Sequence, residues 1–374
     1  MFIHDTARNE NRFAAYVGRL QAHYRAGDRS QLAVLVIAAL VVGSFLSILF
    51  SMTTGASDAS AFDVVRELIG GQASQSAMSA RDRIIVFDIR LPRAILGFII
   101  GGSLAVSGAV MQGLFRNPLA DPGLVGASSG ASLGAGAMIV LGGTVAAPIY
   151  QALGIFALPA AAFLGGLVTT LVLYRVATRN GQTSVATMLL AGIALGALAM
   201  ALTGVLIYMA DDKQLRDLTF WSMGSIAGAT WTKILAAGPI MLLCLAVVPF
   251  LARGLNAITL GEAAAFHMGV PVQKLKNIAI VSVAASTGAS VAVSGGIGFV
   301  GIVVPHLLRL VIGPDHRFLL PAAALLGGSL LLFADVIART LVAPAELPIG
   351  IITSAVGGPF FLWILLRNRS RLSL

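Results

Sequence analysis

Long apolar stretches separated by short polar segments run through most of the chain. Because about 20 helical residues cross the hydrocarbon core of a bilayer, each run without Asp, Glu, Lys or Arg is a candidate membrane span. Eight such runs occur, at residues 30–57, 94–115, 122–174, 180–210, 234–252, 277–308, 318–334 and 347–366. The pattern predicts an all-α membrane protein that crosses the bilayer many times.

Two of these runs do not correspond simply to one crossing. Residues 122–174 are long enough for two spans, which meet at the turn-like sequence around Pro148. Residues 277–308 contain "SGGIGF" at 294–299, which either breaks the run into two short helices or kinks one helix. The first alternative gives ten spans and the second gives nine. We expect residues 30–374 to form one transmembrane domain, with small loop helices such as "FDVVRELIGG" (62–71).

The distribution of charged residues then predicts how the spans are oriented in the membrane. The chain is 57% hydrophobic and only 11% charged, yet its formal net charge is +9. Ten spans place both termini on one side of the membrane, and that side receives sixteen of the 25 Lys and Arg residues. By the positive-inside rule this side is cytoplasmic, together with both termini and the polar arm 1–29. Topology explains most of the charge, so no nucleic-acid partner is expected.

A short sequence recurs in the two halves of the chain. "AVSGAVMQGLFRNP" (105–118) and "AVSGGIGFVGIVVP" (292–305) share AVSG and a proline ten residues after its glycine. Five spans separate the copies in the ten-span scheme, and an odd number inverts one half relative to the other. Inverted repeats are common among transporters. Small residues, as in "GASSGASLGAG" (126–136), allow close helix packing in lipid.

The sequence has no recognisable catalytic or metal-binding pattern. Its five histidines show no HExxH spacing, and its one cysteine, Cys244, lies in an apolar run where packing is the expected role. No lysine follows a glycine, so a P-loop is absent and any ATP must bind to another chain. Asp335 lies four residues before Arg339, a spacing that suits a helical ion pair. We expect no enzyme activity, metal or cofactor in this chain.

Five blocks of sequence resemble, in this order, the permease family of ABC importers for iron-siderophores, haem and cobalamin. They are "RLPRAILGFIIGGSLAVSGAVMQGLFRNPLADPGLVGASSGASLGA" (90–135), "TLGEAAAFHMGV" (259–270), "GGIGFVGIVVPHLLRLVIGPDHRFLLP" (295–321), "ADVIAR" (334–339) and "AELPIGIITSAVGGPFFLWILL" (345–366). The resemblance implies ten transmembrane helices in an inverted-repeat fold and a permease homodimer in the lipid of the bacterial inner membrane. It also implies two cytoplasmic ATPase subunits and a periplasmic substrate-binding protein. The arm 1–29 is outside the common pattern.

The resemblance makes residues 259–270 a coupling helix, which fits a cleft in the ATPase subunit. The matching positions are Leu260, Gly261, Glu262, Ala264, Met268 and Gly269. About ten helical residues rise only about 15 Å, too short to cross a membrane. Leu260, Ala264 and Met268 would share one apolar face, and Glu262 near the start suits the helix dipole. His267 has no second metal ligand nearby, so a surface or interface role is expected.

Two further roles follow from the resemblance. Arg90, Arg93 and Arg339 match arginines that dock the binding protein through its acidic side chains. Interfacial anchoring is the alternative, or for Arg339 an internal pair with Asp335. The gate that narrows the inner end of the path is matched by two pairs, Asn117 with Leu119 and Ser184 with Thr187. Val185 and Ala186 interrupt the polar pattern of the second pair, and structural turns explain both pairs equally well.

The substrate is not fixed by these patterns. The run "FRNPLADPGLVGASSGA" (115–131) looks most like haem permeases within the family, which favours haem over a ferric siderophore or cobalamin. Two other classes stay open, a secondary carrier or channel and a polytopic membrane enzyme. A carrier usually has ionisable groups in mid-membrane and an enzyme needs a catalytic cluster, and the sequence pattern indicates neither.

Overall fold

The structure, a computed structural model, describes residues 29–55, 79–179 and 182–367. Two predictions lie outside these residues: the arm 1–29, apart from Arg29, and the loop helix at 62–71. The described helices are α1 (Ser30–Thr53), α2 (Ala80–Ile84), α3 (Leu91–Phe115), α4 (Ala127–Leu141), α5 (Ala147–Leu153), α6 (Ala157–Ala177), α7 (Val185–Met209), α8 (Asp212–Ser222), α9 (Trp231–Val247), α10 (Ala252–Thr259), α11 (Glu262–His267), α12 (Val272–Ser294), α13 (Val300–Ile312), α14 (His316–Thr340) and α15 (Ile349–Arg367).

Other regular structure is confined to short connections in the described part of the chain. A π-helical segment, Ile85–Arg90, joins α2 directly to α3. Strands β1 (Thr178–Arg179) and β2 (Gln182–Thr183) form a small antiparallel hairpin between α6 and α7. The prediction of an all-helical membrane fold is therefore confirmed apart from this hairpin.

Seven helical stretches among the described residues are long and apolar enough to cross a membrane. They are Ser30–Thr53, Arg81–Phe115, Ala147–Ala177, Ala186–Met209, Trp231–Thr259, Val272–Ser294 and His316–Thr340. Three apolar helices are shorter: Ala127–Leu141, Val300–Ile312 and Ile349–Ile364. The predicted division of 122–174 into two apolar helices is confirmed.

The ambiguous run 277–308 is broken rather than kinked. Helix α12 ends at Ser294 and α13 begins at Val300. Between them Gly295 has φ +70 and ψ −165, a conformation open to glycine but not to residues with a Cβ. Phe299 then starts α13 from the left-handed region at φ +67. The glycines of "SGGIGF" therefore end one helix and turn the chain into the next.

Helix α3 lies at the centre of the bundle, where small residues bring neighbouring backbones close. A Cβ on Gly101 would overlap the carbonyl of Gly327 on α14, and one on Gly108 would overlap the carbonyl of Gly301 on α13. The stripe at 126–136 packs in the same way, since Gly130 lies against Gly165 on α6. In lipid, where apolar surface gives no drive to associate, such close packing holds helices together.

The peripheral helices carry the larger apolar side chains. Phe45 on α1, Leu190 and Met200 on α7, and Leu235 on α9 are all exposed. In a soluble protein this surface would promote aggregation. On a multi-pass membrane protein it is the surface that meets lipid or neighbouring subunits.

The two AVSG sequences do not occupy equivalent positions in their helices. The first, 105–108, lies inside α3, which continues to Phe115. The second, 292–295, includes the end of α12, and its later proline, Pro305, lies inside α13. The four-residue match therefore does not support an internal repeat, and the inverted-repeat plan stays a prediction.

Helix α14 defines the two ends of the bundle. Its 25 residues rise about 37 Å. Its last turn lies beside Arg93, and we call this side the arginine end. Its first turn lies beside α10, which leads into the short helix α11, and we call this side the short-helix end.

Candidate functional site

Three predicted docking arginines, Arg90, Arg93 and Arg339, meet at the arginine end. Arg93 donates Nη2 to Asp335 Oδ1 at 2.8 Å and Nε to both carboxylate oxygens at 3.1 Å. Its guanidinium also pairs with Glu346, with Nη2 2.9 Å from Oε2. The Arg93 side chain thus joins α3, α14 and the segment before α15.

The other two arginines bind the end of α1. Arg90 donates Nη1 to the carbonyl of Met52 at 2.9 Å, and Arg339 donates Nη2 to the carbonyl of Ser51 at 2.6 Å. The last carbonyls of a helix lack helical partners and carry partial negative charge, so they suit guanidinium groups. Arg90 and Arg93 are only 5% and 6% exposed. Within this chain, the cluster is a buried internal network.

The predicted pair between Asp335 and Arg339 is present but weak, with 3.8 Å between Arg339 Nε and Asp335 Oδ2. The stronger partner of Asp335 is Arg93, 242 residues away in sequence. Sequence spacing missed this contact because it detects only pairs within one helix. Glu346 lies in the family-like block at 345–366, and the sequence analysis assigned it no role.

The predicted coupling helix is shorter than 259–270. Helix α10 ends at Thr259, the chain turns at Leu260 and Gly261, and α11 covers only Glu262–His267. Gly261 has φ +109 and ψ 150, which a residue with a Cβ adopts only under strain. The prediction of one continuous helix is wrong because this glycine separates two helices.

An exposed apolar surface is present at this site, but Phe266 takes the place predicted for Ala264. Leu260, Phe266 and Met268 are 70%, 70% and 54% exposed, whereas Ala264 is half-buried. His267 is exposed, with its ring edge-on to Phe266 at 6.0 Å between centroids. Gly269, at φ +81, ends the element. We refer to Leu260, Phe266 and Met268 as the apolar ridge.

A buried lysine that the sequence analysis did not single out anchors α11. Lys276 on α12 is 3% exposed, and its Nζ lies 2.7 Å from Glu262 Oε1. The same ammonium donates to the carbonyl of Thr183 on β2 at 3.0 Å. Gln273, one helical turn earlier, accepts the backbone N–H of Thr183 at 3.0 Å. Lys276 therefore joins the short helix to the hairpin that precedes α7.

A second polar network fixes α10 against the start of α14. Asn256 donates Nδ2 to Asp315 Oδ1 at 2.7 Å and accepts the backbone N–H of His316 at 2.9 Å. Arg317 also donates to the Asp315 carboxylate, with Nη2 2.6 Å from Oδ2. Burial would raise the pKa of Asp315, but the hydrogen bonds from Arg317 and Asn256 outweigh it and lower the pKa to about 2.

The four predicted gate residues form turns at the ends of α3 and α7. The side chain of Asn117, just beyond α3, accepts the backbone N–H of Leu119 at 2.9 Å. Ser184 is the N-cap of α7, with its Oγ accepting from Thr187 N at 3.3 Å and from Thr187 Oγ1 at 3.0 Å. These hydrogen bonds are the capping and turn contacts that such residues make at helix ends.

A cavity of about 410 Å³ opens at the arginine end between the ends of α6, α8, α9, α12 and α15. Its lining includes Phe220, Trp221, Lys233, Ser294 and Glu346. A neighbouring cavity of about 730 Å³ shares Phe220 and Trp221 with it. Among the residues that the structure describes, no group of three or more His, Cys, Asp or Glu is placed to hold a metal ion.

Apolar helices, charge networks at both ends and a cavity between helix ends are features of a multi-pass membrane transport protein. Comparison with known proteins gives the family. Residues 34–367 match the FecCD transport family, and the chain belongs to it.

The relatives are permeases of import systems. The chain is 45% identical over 334 residues to the hemin transport system permease protein HmuU of Yersinia pestis, covering 89% of this chain and 97% of HmuU. It is 44% identical over 287 residues to the cobalamin import system permease protein BtuC of Halobacterium salinarum, covering 77% and 74% of the two chains. An inward-facing structure of a metal-chelate type ABC transporter matches with a TM-score of 0.76 and 29% identity, covering 89% and 99%.

Proposed function

We propose that this chain is the translocation subunit of an ATP-driven importer that takes up haem, or a similar iron chelate, from a substrate-binding protein. Two permease copies would form the path with ten helices each, and two cytoplasmic ATPase subunits would supply the energy. A ferric siderophore or cobalamin is the alternative substrate. The identity of 45% with a hemin permease favours haem, while a cobalamin permease at 44% keeps the alternative open.

The apolar ridge carries the proposal of an ATPase partner. Three large apolar side chains stand exposed on and beside a six-residue helix, with Phe266 on the helix and Leu260 and Met268 flanking it. This helix is too short to cross the bilayer. Exposed apolar clusters bounded by polar residues mark protein contacts. Lys276 and Asn256 hold the ridge on α12 and α14, so a push on it would reach helices that span the bundle.

If the apolar ridge contacts the ATPase, changing it should abolish binding of that partner. Leu260→Asp with Met268→Asp would put two carboxylates into the ATPase contact, and copurification of the ATPase should be abolished. Lys274 is exposed in the first turn of α12 and lies outside the apolar ridge, so Lys274→Asp places a carboxylate nearby without changing the ridge. Retained copurification of the ridge variant, with Lys274→Asp as the matched control, would count against the coupling role.

Docking of the binding protein at the arginine end follows from the charge of the cluster. Arg93 pairs internally with Asp335 and Glu346, and Asp82 lies close enough to attract Arg90, so a partner's carboxylate would have to exchange with one of these acids. Glu346 is the exposed member, so its contact with Arg93 is the one a partner's carboxylate would replace. Glu346→Gln should tighten docking several-fold, since Arg93 loses an internal competitor. Unchanged affinity in a surface binding measurement would argue against docking at Arg93.

The gate stays part of the proposal. Asn117, Leu119, Ser184 and Thr187 lie in two turns at the ends of α3 and α7, on the side of the bundle that also carries Lys276. Their hydrogen bonds are local, so the turns are able to move as units when the helices shift.

Uptake and ATP hydrolysis in vesicles test the proposed function directly. The permease is reconstituted with its ATPase and binding protein, and haemin, a ferric siderophore and cobalamin are compared. We expect haemin to stimulate hydrolysis and to accumulate. If no substrate stimulates hydrolysis while an ion gradient alone drives uptake, the chain is a secondary carrier and the proposal fails.

A further inference from the structure

The cavity of about 410 Å³ at the arginine end contains a cation, Lys233, that has no partner among the residues that the structure describes. Lys233 lies in the first turn of α9 and lines the cavity together with Gly228, and its Nζ is 3.2 Å from the position a Cβ on Gly228 would take. Its ammonium makes no hydrogen bond or ion pair with any residue that the structure describes. Partial burial of an unpaired charge is unfavourable, so an anion that enters the cavity is stabilised.

The acidic residue in the same cavity does not satisfy Lys233. Glu346 is directed to Arg93, with 2.9 Å between Arg93 Nη2 and Glu346 Oε2 and 3.1 Å between Nη1 and Oε1. Its negative charge is therefore already balanced within the arginine cluster. The net charge available to a ligand in the cavity is the single positive charge of Lys233.

Apart from Ser225 and Ser294, the rest of the lining is mainly apolar. Phe220 and Trp221 at the end of α8 contribute aromatic rings, and Pro159 and Pro348 contribute rigid apolar faces. The volume lies within the range of about 300 to 1,000 Å³ that is typical of small-molecule sites, where apolar walls hold the body and a few polar groups orient it. The two aromatic residues also line the neighbouring cavity, so they form the wall between the two spaces.

We propose that this cavity binds a carboxylate-bearing aromatic ligand during import, with Lys233 holding the carboxylate and Phe220 and Trp221 contacting the ring body. The inference rests on the proposed function and narrows it. A haem carries two carboxylates on a planar aromatic ring, whereas the side chains of cobalamin are mostly amides. The cavity therefore selects for the first kind of substrate at the end where the binding protein would release it.

Protection of lysines from an amine-reactive reagent tests the site without any partner protein. The full chain in lipid nanodiscs is treated with the reagent in the presence of haemin, haemin dimethyl ester or cobalamin. Mass spectrometry then measures the extent of labelling at each lysine. Haemin at about ten times its Kd should lower labelling of Lys233 about tenfold, because only the unoccupied fraction of the site reacts. Lys274, exposed near the short-helix end, is the internal control and should be unchanged.

The ester and cobalamin show whether protection of Lys233 depends on a free carboxylate of the ligand. The ester keeps the ring and lacks free carboxylates, so it should leave Lys233 labelled if the ammonium binds a carboxylate. Equal protection by haemin and its ester would overturn the ionic role and leave only apolar binding. Unchanged labelling with haemin, or protection by cobalamin alone, would overturn the proposal.

A transport measurement separates this inference from the proposed function. In reconstituted importer, Lys233→Met should raise the KM for haemin about tenfold with little change in kcat, and Lys233→Arg should restore it. Lys274→Met is the matched control. If wild-type importer takes up no haemin, the proposed function fails. If the wild-type importer transports haemin and Lys233→Met has the same KM, the proposed function stands and only the proposed lysine site is wrong.

Discussion

At the scale of single residues, buried charges control the stability of the arginine end. Asp335 is 1% exposed and lies between Arg93 and Arg339. Breaking a buried ion pair by removing one member is costly because the remaining charge stays buried without compensation. Asp335 is thus expected to matter more for folding than the partly exposed Glu346 beside it.

Asp335→Asn should lower the free energy of unfolding by about 3 to 5 kcal/mol, since Arg93 then keeps its charge without its main partner. Thermal denaturation in detergent measures the loss as a lower Tm. Glu346→Gln is the matched control, because its carboxylate is partly solvated and its removal should cost much less. Equal Tm values for the two variants would contradict the buried-pair account.

Asp315 should make stability depend on pH. Its pKa of about 2 lies below the ordinary value of 3.8, so the unfolded chain takes up a proton first as the pH falls. The stabilising contribution is complete above about pH 5 and disappears as the pH approaches about 2. The Tm difference between wild type and Asp315→Asn should therefore narrow on acidification. A constant difference from pH 7 to pH 3 would contradict this assignment.

At the scale of helices, packing depends on where glycines stand rather than on how many there are. Gly108 on α3 lies against the backbone of Gly301 on α13, whereas Gly43 on α1 has open space around it. Both glycines are inside apolar helices and look alike in the sequence. Only the first is at a contact between helices.

Gly108→Ala should destabilise the fold by about 1 to 3 kcal/mol, because an added methyl group must push α3 and α13 apart. Gly43→Ala should be neutral or slightly stabilising, since alanine has the higher helix propensity. Tm values and yields of folded protein in detergent provide the comparison. Equal effects of the two substitutions would show that the close contact is not rigid.

The connection through Lys276 also belongs to this scale. Lys276→Met removes the contacts to Glu262 on α11 and to the Thr183 carbonyl while the apolar ridge stays in place. ATPase copurification should persist, whereas substrate stimulation of hydrolysis should fall about tenfold, since one charged contact no longer links the elements. Lys274→Met, which changes an exposed lysine two residues away, is the control. Full stimulation in Lys276→Met would rule out this link.

At the scale of the whole molecule, the two ends of the bundle differ in chemistry. The arginine end has buried ion pairs and the two cavities, and the short-helix end has the apolar ridge on and beside a six-residue helix. This asymmetry suits a protein that receives a ligand at one end and contacts an energy-supplying partner at the other. The excess of cations predicts that the short-helix end is cytoplasmic.

Cysteine labelling tests the orientation. In a Cys244→Ser background, a single cysteine replaces Lys213, near the arginine end, or Lys274, near the short-helix end. A membrane-impermeant thiol reagent added to intact spheroplasts should label Lys213→Cys and leave Lys274→Cys unreacted until the membrane is opened. The reverse pattern would invert the predicted topology.

Sequence reasoning predicted the apolar helices well because membrane crossing is a local property of composition. It also identified "SGGIGF" as a possible break, since glycine acts on its own segment of chain. It missed the pairing of Thr178–Arg179 with Gln182–Thr183, although the sequence Asn-Gly between two such segments is a usual hairpin signal. It also extended the short helix through Gly261, whose positive φ ends any helix there.

By itself, then, the sequence determined a membrane-crossing helical protein, its likeness to import permeases and the position of a short polar segment between two apolar helices. The tertiary structure alone decided that Arg93 pairs with Asp335 and that Lys276 joins α11 to the hairpin. It also placed Lys233 in one cavity with Phe220 and Trp221, without a partner in the described part of the chain. The physical reason is distance along the chain. Hydrophobic patterns act over one helix, whereas these pairings depend on which helices the close glycine contacts bring together.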